Sequence, residues 1–268
     1  MVNILIAAAL AAASPVATPT VQPLEPAGAQ PALFAVSDAD TRVYIFGTFH
    51  ALDGQTDWFK DTVRGAFEDS NELVLETLVP EGPDQSQLSA MPPYRGAMMP
   101  SASFLATTRM AIDAGRSQGM QVGNGADMIL RHVAEAEGKP VEGLETLESQ
   151  FAMFTRMPAA TRAPRPGEPV AENSPMDSLS KAMAEMQSAW KRGDQSVFVR
   201  MLGQLNRNSP DTYRMMFTER NARWADWIRA RLQTPGTVFV AVGAGHLAGK
   251  DSLLVQLAER GIASQRVN

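Results

Sequence analysis

The sequence predicts an α/β fold, with a mixed, largely parallel central sheet flanked by helices and extended by a helical insertion or lid lobe. Short apolar runs of strand length alternate with longer segments of helical periodicity, which is typical of strands joined by helical crossovers. Two of the apolar runs, at 42–46 and 237–242, lead into the same pattern, Gly-x-x-His. We therefore expect two parallel strands that end in equivalent turns.

The N-terminal residues predict an export signal. Residues 2–13 form an apolar run that ends in small residues, and it is shorter than the roughly 20 residues that a membrane span needs. Ala11 and Ala13 suit the positions before a cleavage site. No Lys or Arg precedes the run, so a disordered apolar leader and a misplaced start codon are the alternatives.

The domain organisation follows from this signal. Residues 1–13 are predicted to be a signal peptide, 14–31 a linker with five prolines, and 32–268 one α/β domain. We expect a periplasmic or extracellular protein without a transmembrane span.

Composition excludes several classes of function. The chain has 268 residues, of which 44% are hydrophobic and 20% charged, as is usual for a globular domain. The net charge is −5 and no cluster of Lys or Arg occurs, which argues against nucleic-acid binding. The chain has no cysteine, so disulfides, thiolate catalysis and cysteine-ligated metals are excluded.

The apolar patterns place the elements along the chain. Further strands are expected at 33–36, 72–76, 139–145 and 262–267. Helices are expected at 58–69, 101–118, 125–137, 176–191, 194–206, 210–231 and 251–260. The segments 79–100 and 157–175 are rich in proline and are predicted to be a loop or lid entrance and a flexible insertion.

Four ionisable residues stand at the ends of predicted strands: His50, Glu76, Glu145 and His246. Ligands of open α/β sheets bind outside the carboxyl ends of the strands, so we expect these side chains to converge on one site. Arg220, on the predicted helix at 210–231, is the expected cation of this site.

The glycines of the repeated pattern have a predicted mechanical role. Gly47, Gly243 and Gly245 are expected to let the chain turn sharply and to let the backbone approach a ligand closely.

These residue types suggest metal chemistry. Two imidazoles and a carboxylate suit a divalent ion such as Mn, Co or Zn, so His50, His246 and Glu76 are the predicted ligands. Glu76, Arg220 and Glu145 are the predicted catalytic residues. Without a metal, a His–Glu pair can still act as general base and orienting group. With or without a metal, Arg220 is the expected cation for a substrate carboxylate, for an oxyanion that develops in the reaction, or for Glu76 itself.

Each of these residues also has a structural interpretation. Glu76 could be a solvated strand end, Glu145 a helix-entry cap and Arg220 a helix-surface charge. A single Gly-x-x-His arises readily by chance, but two copies at strand ends, in a chain with three histidines, favour function. His132 lacks this context and is predicted to be a surface or packing residue. Trp224 and Trp227 are predicted to lie in the core.

Several segments, in order along the chain, resemble the TraB/GumN family. They are 43–50 with the first Gly-x-x-His, 73–76 with its terminal Glu, 139–146, the Arg-Asn-x-x-Trp segment at 220–224, and 239–249 with the second Gly-x-x-His. The family is related to the Tiki metalloproteases and, more distantly, to erythromycin esterases and the haem-binding lipoprotein ChaN. The resemblance implies an α/β fold and a site built from His50, Glu76, Arg220 and His246, with Glu145 nearby.

The resemblance favours one function and leaves two others open. The leading hypothesis is an exported, metal-dependent hydrolase, most simply a peptidase, acting on a peptide or small molecule. One alternative is a non-catalytic periplasmic protein that binds a peptide or haem. The other is a metal-free, esterase-like hydrolase. The segments 79–100 and 155–178 depart from the family pattern, and they leave the substrate open.

Overall fold

The computed structural model describes residues 30–78, 102–156 and 175–268. The predicted signal peptide, nearly all of the predicted linker, the loop at 79–100 and nearly all of the insertion at 157–175 lie outside these residues. The helix that begins at Ala102 is described by its backbone alone as far as residue 108.

The described chain alternates strands and helices. The strands are β1 (Leu33–Ser37), β2 (Thr41–Thr48), β3 (Glu72–Thr77), β4 (Val141–Glu145), β5 (Gly236–Gly243) and β6 (Gln265–Arg266). The helices are α1 (Asp61–Glu68), α2 (Ala102–Ser117), α3 (Ala126–Ala136), α4 (Leu147–Arg156), α5 (Pro175–Lys191), α6 (Ser196–Asn208), α7 (Pro210–Tyr213), α8 (Glu219–Arg231) and α9 (Leu253–Glu259). Short 3-10 turns stand at Val122–Asn124 and Ala244–Leu247.

The six strands form one sheet in the order β4-β3-β5-β2-β1-β6. β4, β3, β5 and β2 pair in parallel, whereas β1 pairs antiparallel with both β2 and β6. The predicted mixed, largely parallel sheet is confirmed. Because these four parallel strands run in the same direction, their carboxyl ends share one edge.

Both faces of the sheet are covered, as a parallel sheet requires. In β2, Val43 and Ile45 join the apolar cluster that contains Trp224 of α8 and the leucines of α9. Tyr44 and Phe46, which point to the opposite face, join the cluster formed with α1, α3, α5 and α6. The near-continuous apolar run of the strand is thus explained by burial on two sides, and Trp224 is a core residue as predicted.

Two helical regions differ from the prediction. The helix expected at 210–231 is interrupted, because Arg214–Thr218 forms a π turn between α7 and α8, closed by Glu219 N donating to Arg214 O. A π turn inserts an extra residue and changes which side chains share a face, and such turns often accompany functional sites. The sequence interpretation also contained no helix at Leu147–Arg156, where α4 lies.

The predicted helical insertion corresponds to helices that connect the parallel strands along the chain. α2 packs on α5, where Ser117 Oγ and Ser180 Oγ are 3.0 Å apart and the backbone at Gly115 approaches Met183. Within the described ranges, no helix has the length and apolar character needed to cross a membrane.

Trp190 joins α5 to the first Gly-x-x-His motif, and replacing it should test that link. Its side chain is 2% exposed, and its Nε1 donates to Gly47 O at 2.7 Å. Trp190→Phe leaves that carbonyl without its donor and opens a cavity, so we expect the free energy of unfolding to fall by about 2–4 kcal/mol. Chemical denaturation measures it. Trp227→Phe, at a half-buried site, should cost less than about 1 kcal/mol; equal losses would contradict the proposed link.

Candidate active site

The predicted site residues gather at the carboxyl edge of the parallel strands. His50 follows β2 by two residues, Glu76 lies near the end of β3 and Glu145 ends β4. His246 lies in the turn after β5, and Arg220 enters from the first turn of α8. Side chains far apart in the sequence therefore meet at one edge.

The two Gly-x-x-His motifs lie on neighbouring strands, with Thr48 opposite Gly243 in the pairing of β2 and β5. Gly243 N donates to Glu76 Oε1 at 2.6 Å. A Cβ at Gly243 would lie 3.2 Å from both Glu76 Oε1 and His50 Nε2. Because Gly243 has no side chain, a small space remains beside it, bordered by the Glu76 carboxylate and the His50 imidazole.

The turn expected at the second motif is present, since β5 leads directly into the 3-10 turn Ala244–Leu247. The motif glycines also allow close packing within the protein, while their close approach to a ligand stays a prediction. Gly47, Gly243 and Gly245 all lack a positive φ, and Gly243 has φ −53° and ψ 136°. A Cβ at Gly47 would come within 3.2 Å of Leu247 and 3.3 Å of Ala244. Gly47 therefore lets the two motifs pack together, and Gly243 makes room inside the site.

Arg220 is the hub of the site, and its side chain is only 4% exposed. Its NH2 donates to Glu76 Oε2 at 2.8 Å, and its Nε lies 3.0 Å from Glu145 Oε2. Its NH1 donates to Met216 O and lies 3.2 Å from His246 Nε2. Of the roles considered for Arg220, the contacts show pairing with Glu76, and they occupy most of its donors.

Glu145 continues the ion pairs toward solvent. Its side chain is 7% exposed, and its Oε1 accepts from Arg223, whose side chain is 60% exposed. Arg220 and Arg223 thus hold one carboxylate from its buried and its exposed side. The capping role considered for Glu145 falls to the next residue, since Thr146 Oγ1 accepts from Ser149 N at the start of α4.

His246 is held in one orientation inside the protein. Its ring lies between Phe217 and Trp224, with centroid distances of 4.8 and 4.5 Å. Its Nδ1 is 2.7 Å from Asn221 Oδ1, while Asn221 Nδ2 donates to Asp251 O at 2.7 Å. Because the amide nitrogen is committed to that carbonyl, the amide oxygen faces the ring, and Nδ1 carries the hydrogen.

The surroundings of His246 keep it neutral. Burial lowers its pKa to about 3, opposed by the charge of Glu76 and assisted by that of Arg220. With Nδ1 protonated, the lone pair lies on Nε2. That atom faces Arg220 NH1 and is 3.6 Å from Glu76 Oε1.

Glu76 is ionised. Burial raises its pKa, but the neighbouring imidazoles, the Arg220 guanidinium and the amide of Gly243 outweigh burial and lower the pKa to about 2. Its side chain is 12% exposed. The site therefore holds a fixed negative charge over the whole physiological pH range.

His50 has the opposite protonation state. Its side chain is 60% exposed, and Nδ1 lies 3.2 Å from Asp127 Oδ1. Desolvation lowers its pKa, but the hydrogen bond and charge of Asp127 and the charge of Glu76 raise it to about 9. At neutral pH one histidine of the repeated motif is charged and the other is not.

Sequence reasoning missed Asp127 and did not assign Asn221 a role. The available signal for Asp127 was only its place in the first turn of the predicted helix at 125–137. Asn221 lies in the Arg-Asn-x-x-Trp segment, directly after Arg220. His132 is exposed on α3, as expected for a surface residue.

The donors agree in type with a divalent-metal site. Glu76 is ionised and His246 neutral, as ligands must be, and both histidines hold an acceptor at Nδ1. As the side chains lie, the described part of the chain has no group of three or more His, Cys, Asp or Glu that could hold a metal ion. Metal binding by His50, His246 and Glu76 stays a prediction.

The chain matches a known protein family. A family model described as the TraB/PrgY/gumN family matches residues 32–103 and 85–266, which together span almost the entire predicted domain. No curated protein and no solved structure matches the chain.

The opposed protonation states of the two histidines can be measured directly. The chain has three histidines, so NMR spectra of their rings, assigned with His→Gln variants, resolve each one. In a titration from pH 4 to 10, His50 should show a midpoint near pH 9, and His246 should show none while the protein stays folded. A His246 midpoint near its ordinary pKa of about 6.5 would refute the buried, neutral ring.

Proposed function

The chain belongs to the TraB/PrgY/gumN family, and we propose that it is a hydrolase that cleaves peptide bonds with the help of a divalent metal ion. The observation that carries this proposal is the convergence of His50, Glu76 and His246 beside Gly243, with Arg220 behind them. Export of the hydrolase is part of the proposal and rests on the apolar run at 2–13.

Stability does not explain this cluster. Taking an arginine and two carboxylates out of water costs several kcal/mol per ion, and apolar residues of similar volume are often as stabilising. Glu76, Glu145 and Arg220 are nevertheless 12%, 7% and 4% exposed. Buried ionisable groups with strongly shifted pKa values at a strand edge are typical of functional sites.

The residues have distinct roles in the proposed reaction. His50, His246 and Glu76 would hold the ion, which when bound supplies a Lewis acid and lowers the pKa of bound water. Arg220 keeps Glu76 ionised and in place through the contact at NH2. Glu145 in turn holds Arg220 at Nε. Because most donors of Arg220 are occupied, it acts on Glu76 and not on a substrate carboxylate.

His50 lies on the solvent-exposed side of the cluster, from which a substrate would enter. It is the most exposed member of the cluster, and it must release its proton before it can bind a metal, so metal affinity should rise with pH toward the pKa of about 9.

The protonation states also favour a second candidate, a metal-free hydrolase. A charged His50 and an ionised Glu76 border the same space, and paired groups whose pKa values are pushed apart are typical of acid–base catalysis. In this case water would attack the scissile carbonyl and pass its proton to Glu76, while the His50 imidazolium would donate a proton to the leaving group.

Metal uptake and peptide cleavage should be lost together when the cluster is altered. Purified protein is incubated with a peptide library and Mn, Co or Zn, and products are identified by mass spectrometry; calorimetry measures metal binding. His50→Ala and His246→Ala should each abolish both signals, while the exposed His132→Ala should retain them. Full metal binding by both His50→Ala and His246→Ala would refute the proposed metal site. Cleavage that survives a chelator would favour the metal-free candidate.

Gly243→Ala tests whether the close arrangement of His50 and Glu76 around Gly243 matters for hydrolysis. The added methyl would stand 3.2 Å from His50 Nε2 and Glu76 Oε1, while the backbone angles suit alanine. Displacing reacting groups by a fraction of an ångström should lower hydrolysis at least about tenfold. Gly65→Ala, whose methyl would meet no atom within 4 Å, is the control for activity and unfolding. Unchanged cleavage by Gly243→Ala would contradict this role.

A further inference from the structure

His50 differs from the rest of the cluster because apolar packing does not enclose its ring. Its side chain is 60% exposed, whereas those of Glu76 and His246 are 12% and 6% exposed. Exposed side chains change rotamer on the picosecond to nanosecond timescale unless a partner holds them. The orientation of His50 therefore depends on its polar contacts.

The segment that leads into α3 holds the backbone on both sides of His50. Leu52 N donates to Gln121 O at 3.2 Å, and Gln121 N donates to Leu52 O at 2.9 Å. Ala126 N donates to Phe49 O at 3.0 Å. The residues before and after the histidine are thus fixed to the same segment.

Gly125 brings the start of α3 directly against His50. A Cβ at Gly125 would lie 2.4 Å from His50 O, so a residue with a side chain could not stand here without displacing the backbone. Two residues later, the first turn of α3 carries Asp127, whose Oδ1 is 3.2 Å from His50 Nδ1. The backbone contacts that hold the residues on both sides of His50 therefore also place the Asp127 carboxylate beside its ring.

We propose that Asp127 is a positioning residue for His50: its carboxylate holds the Nδ1–H tautomer and directs Nε2 toward the space beside Gly243. An ionised carboxylate only accepts hydrogen bonds, so Nδ1 must donate and the free lone pair falls on Nε2. This inference rests on the proposed function, in which His50 binds the metal ion or donates the proton through Nε2, the atom beside Gly243.

The second histidine of the site supports this interpretation. His246 donates from Nδ1 to Asn221 Oδ1 and turns Nε2 toward Glu76 and Arg220. Both imidazoles therefore use Nδ1 for positioning and direct Nε2 into the site. An acceptor on the second ring nitrogen sets which tautomer a catalytic or metal-binding histidine adopts.

A purely structural role for Asp127 makes different predictions. An acidic residue in the first turn stabilises a helix through its dipole, without any effect on His50. Glu148, in the first turn of α4, is the matched control for that contribution. Asp127→Asn and Asp127→Ala separate the hydrogen-bond acceptor from the charge, because the asparagine amide keeps an acceptor oxygen.

The decisive measurement is the tautomer of His50, read from nitrogen-15 spectra of the metal-free protein at a pH at which the ring is neutral. The unaltered protein, Asp127→Asn and Glu148→Gln should hold the Nδ1–H form, while Asp127→Ala should populate the Nε2–H form. Zinc affinity, measured by calorimetry, should fall about 10- to 100-fold in Asp127→Ala and stay unchanged in Glu148→Gln.

The outcomes separate this inference from the proposed function. An unchanged tautomer in Asp127→Ala overturns the inference, even if that variant unfolds more easily. A tautomer that changes in Asp127→Ala upholds it, even if the unaltered protein binds no zinc and cleaves no peptide, in which case the proposed function fails alone.

Discussion

The guanidinium of Arg220 connects the parts of the protein that form the site. It contacts Glu76 at the end of β3, Glu145 at the end of β4 and His246 after β5, while its backbone belongs to α8. A buried cation of this kind is tolerated only because carboxylates and hydrogen bonds surround it. The same contacts fix α8 on the sheet edge, and Arg220 also lies over the Trp224 ring at 4.6 Å.

The asymmetry between the two histidines follows from their different burial and their different neighbours. His246 lies beside Arg220 in the interior, where burial favours the neutral ring. His50 lies at the rim, where Asp127 and Glu76 favour the charged ring. The repeated Gly-x-x-His pattern thus supplies two imidazoles with different chemistry, and the difference comes from their neighbours and not from the motif.

Sequence patterns predicted the parts of this site that depend on strand direction. His50, Glu76, Glu145 and His246 were found because apolar strands end beside them, and parallel strands bring their ends together. The partner of His50 could not be found in this way, since Asp127 lies 77 residues away and resembles any acidic residue in a first helical turn. Its role depends on the approach of Gly125, which is a tertiary contact.

The helices show the same limit of what can be predicted from the sequence. The π turn before α8 was invisible because the apolar periodicity continues through it. α4 was not predicted, and in the structure its apolar residues do not share one buried face: Phe151 is 47% exposed and Met153 is buried. Such features depend on how helices pack at the edge of the site, and single-sequence periodicity reports only which residues avoid water.

The contact between Arg220 and His246 bears on whether the site can accept a metal ion. The NH1 group lies 3.2 Å from Nε2, the same lone pair that a metal would need. A hydrogen bond to a charged group contributes about 1.5–3 kcal/mol, so a metal ion at Nε2 would have to offset at least that much free energy. Arg220 would also keep its ion pairs with Glu76 and Glu145 if this contact were released. The contact satisfies the buried Nε2 of His246, and a metal ion bound at that atom would replace it while Arg220 stayed paired with the two carboxylates.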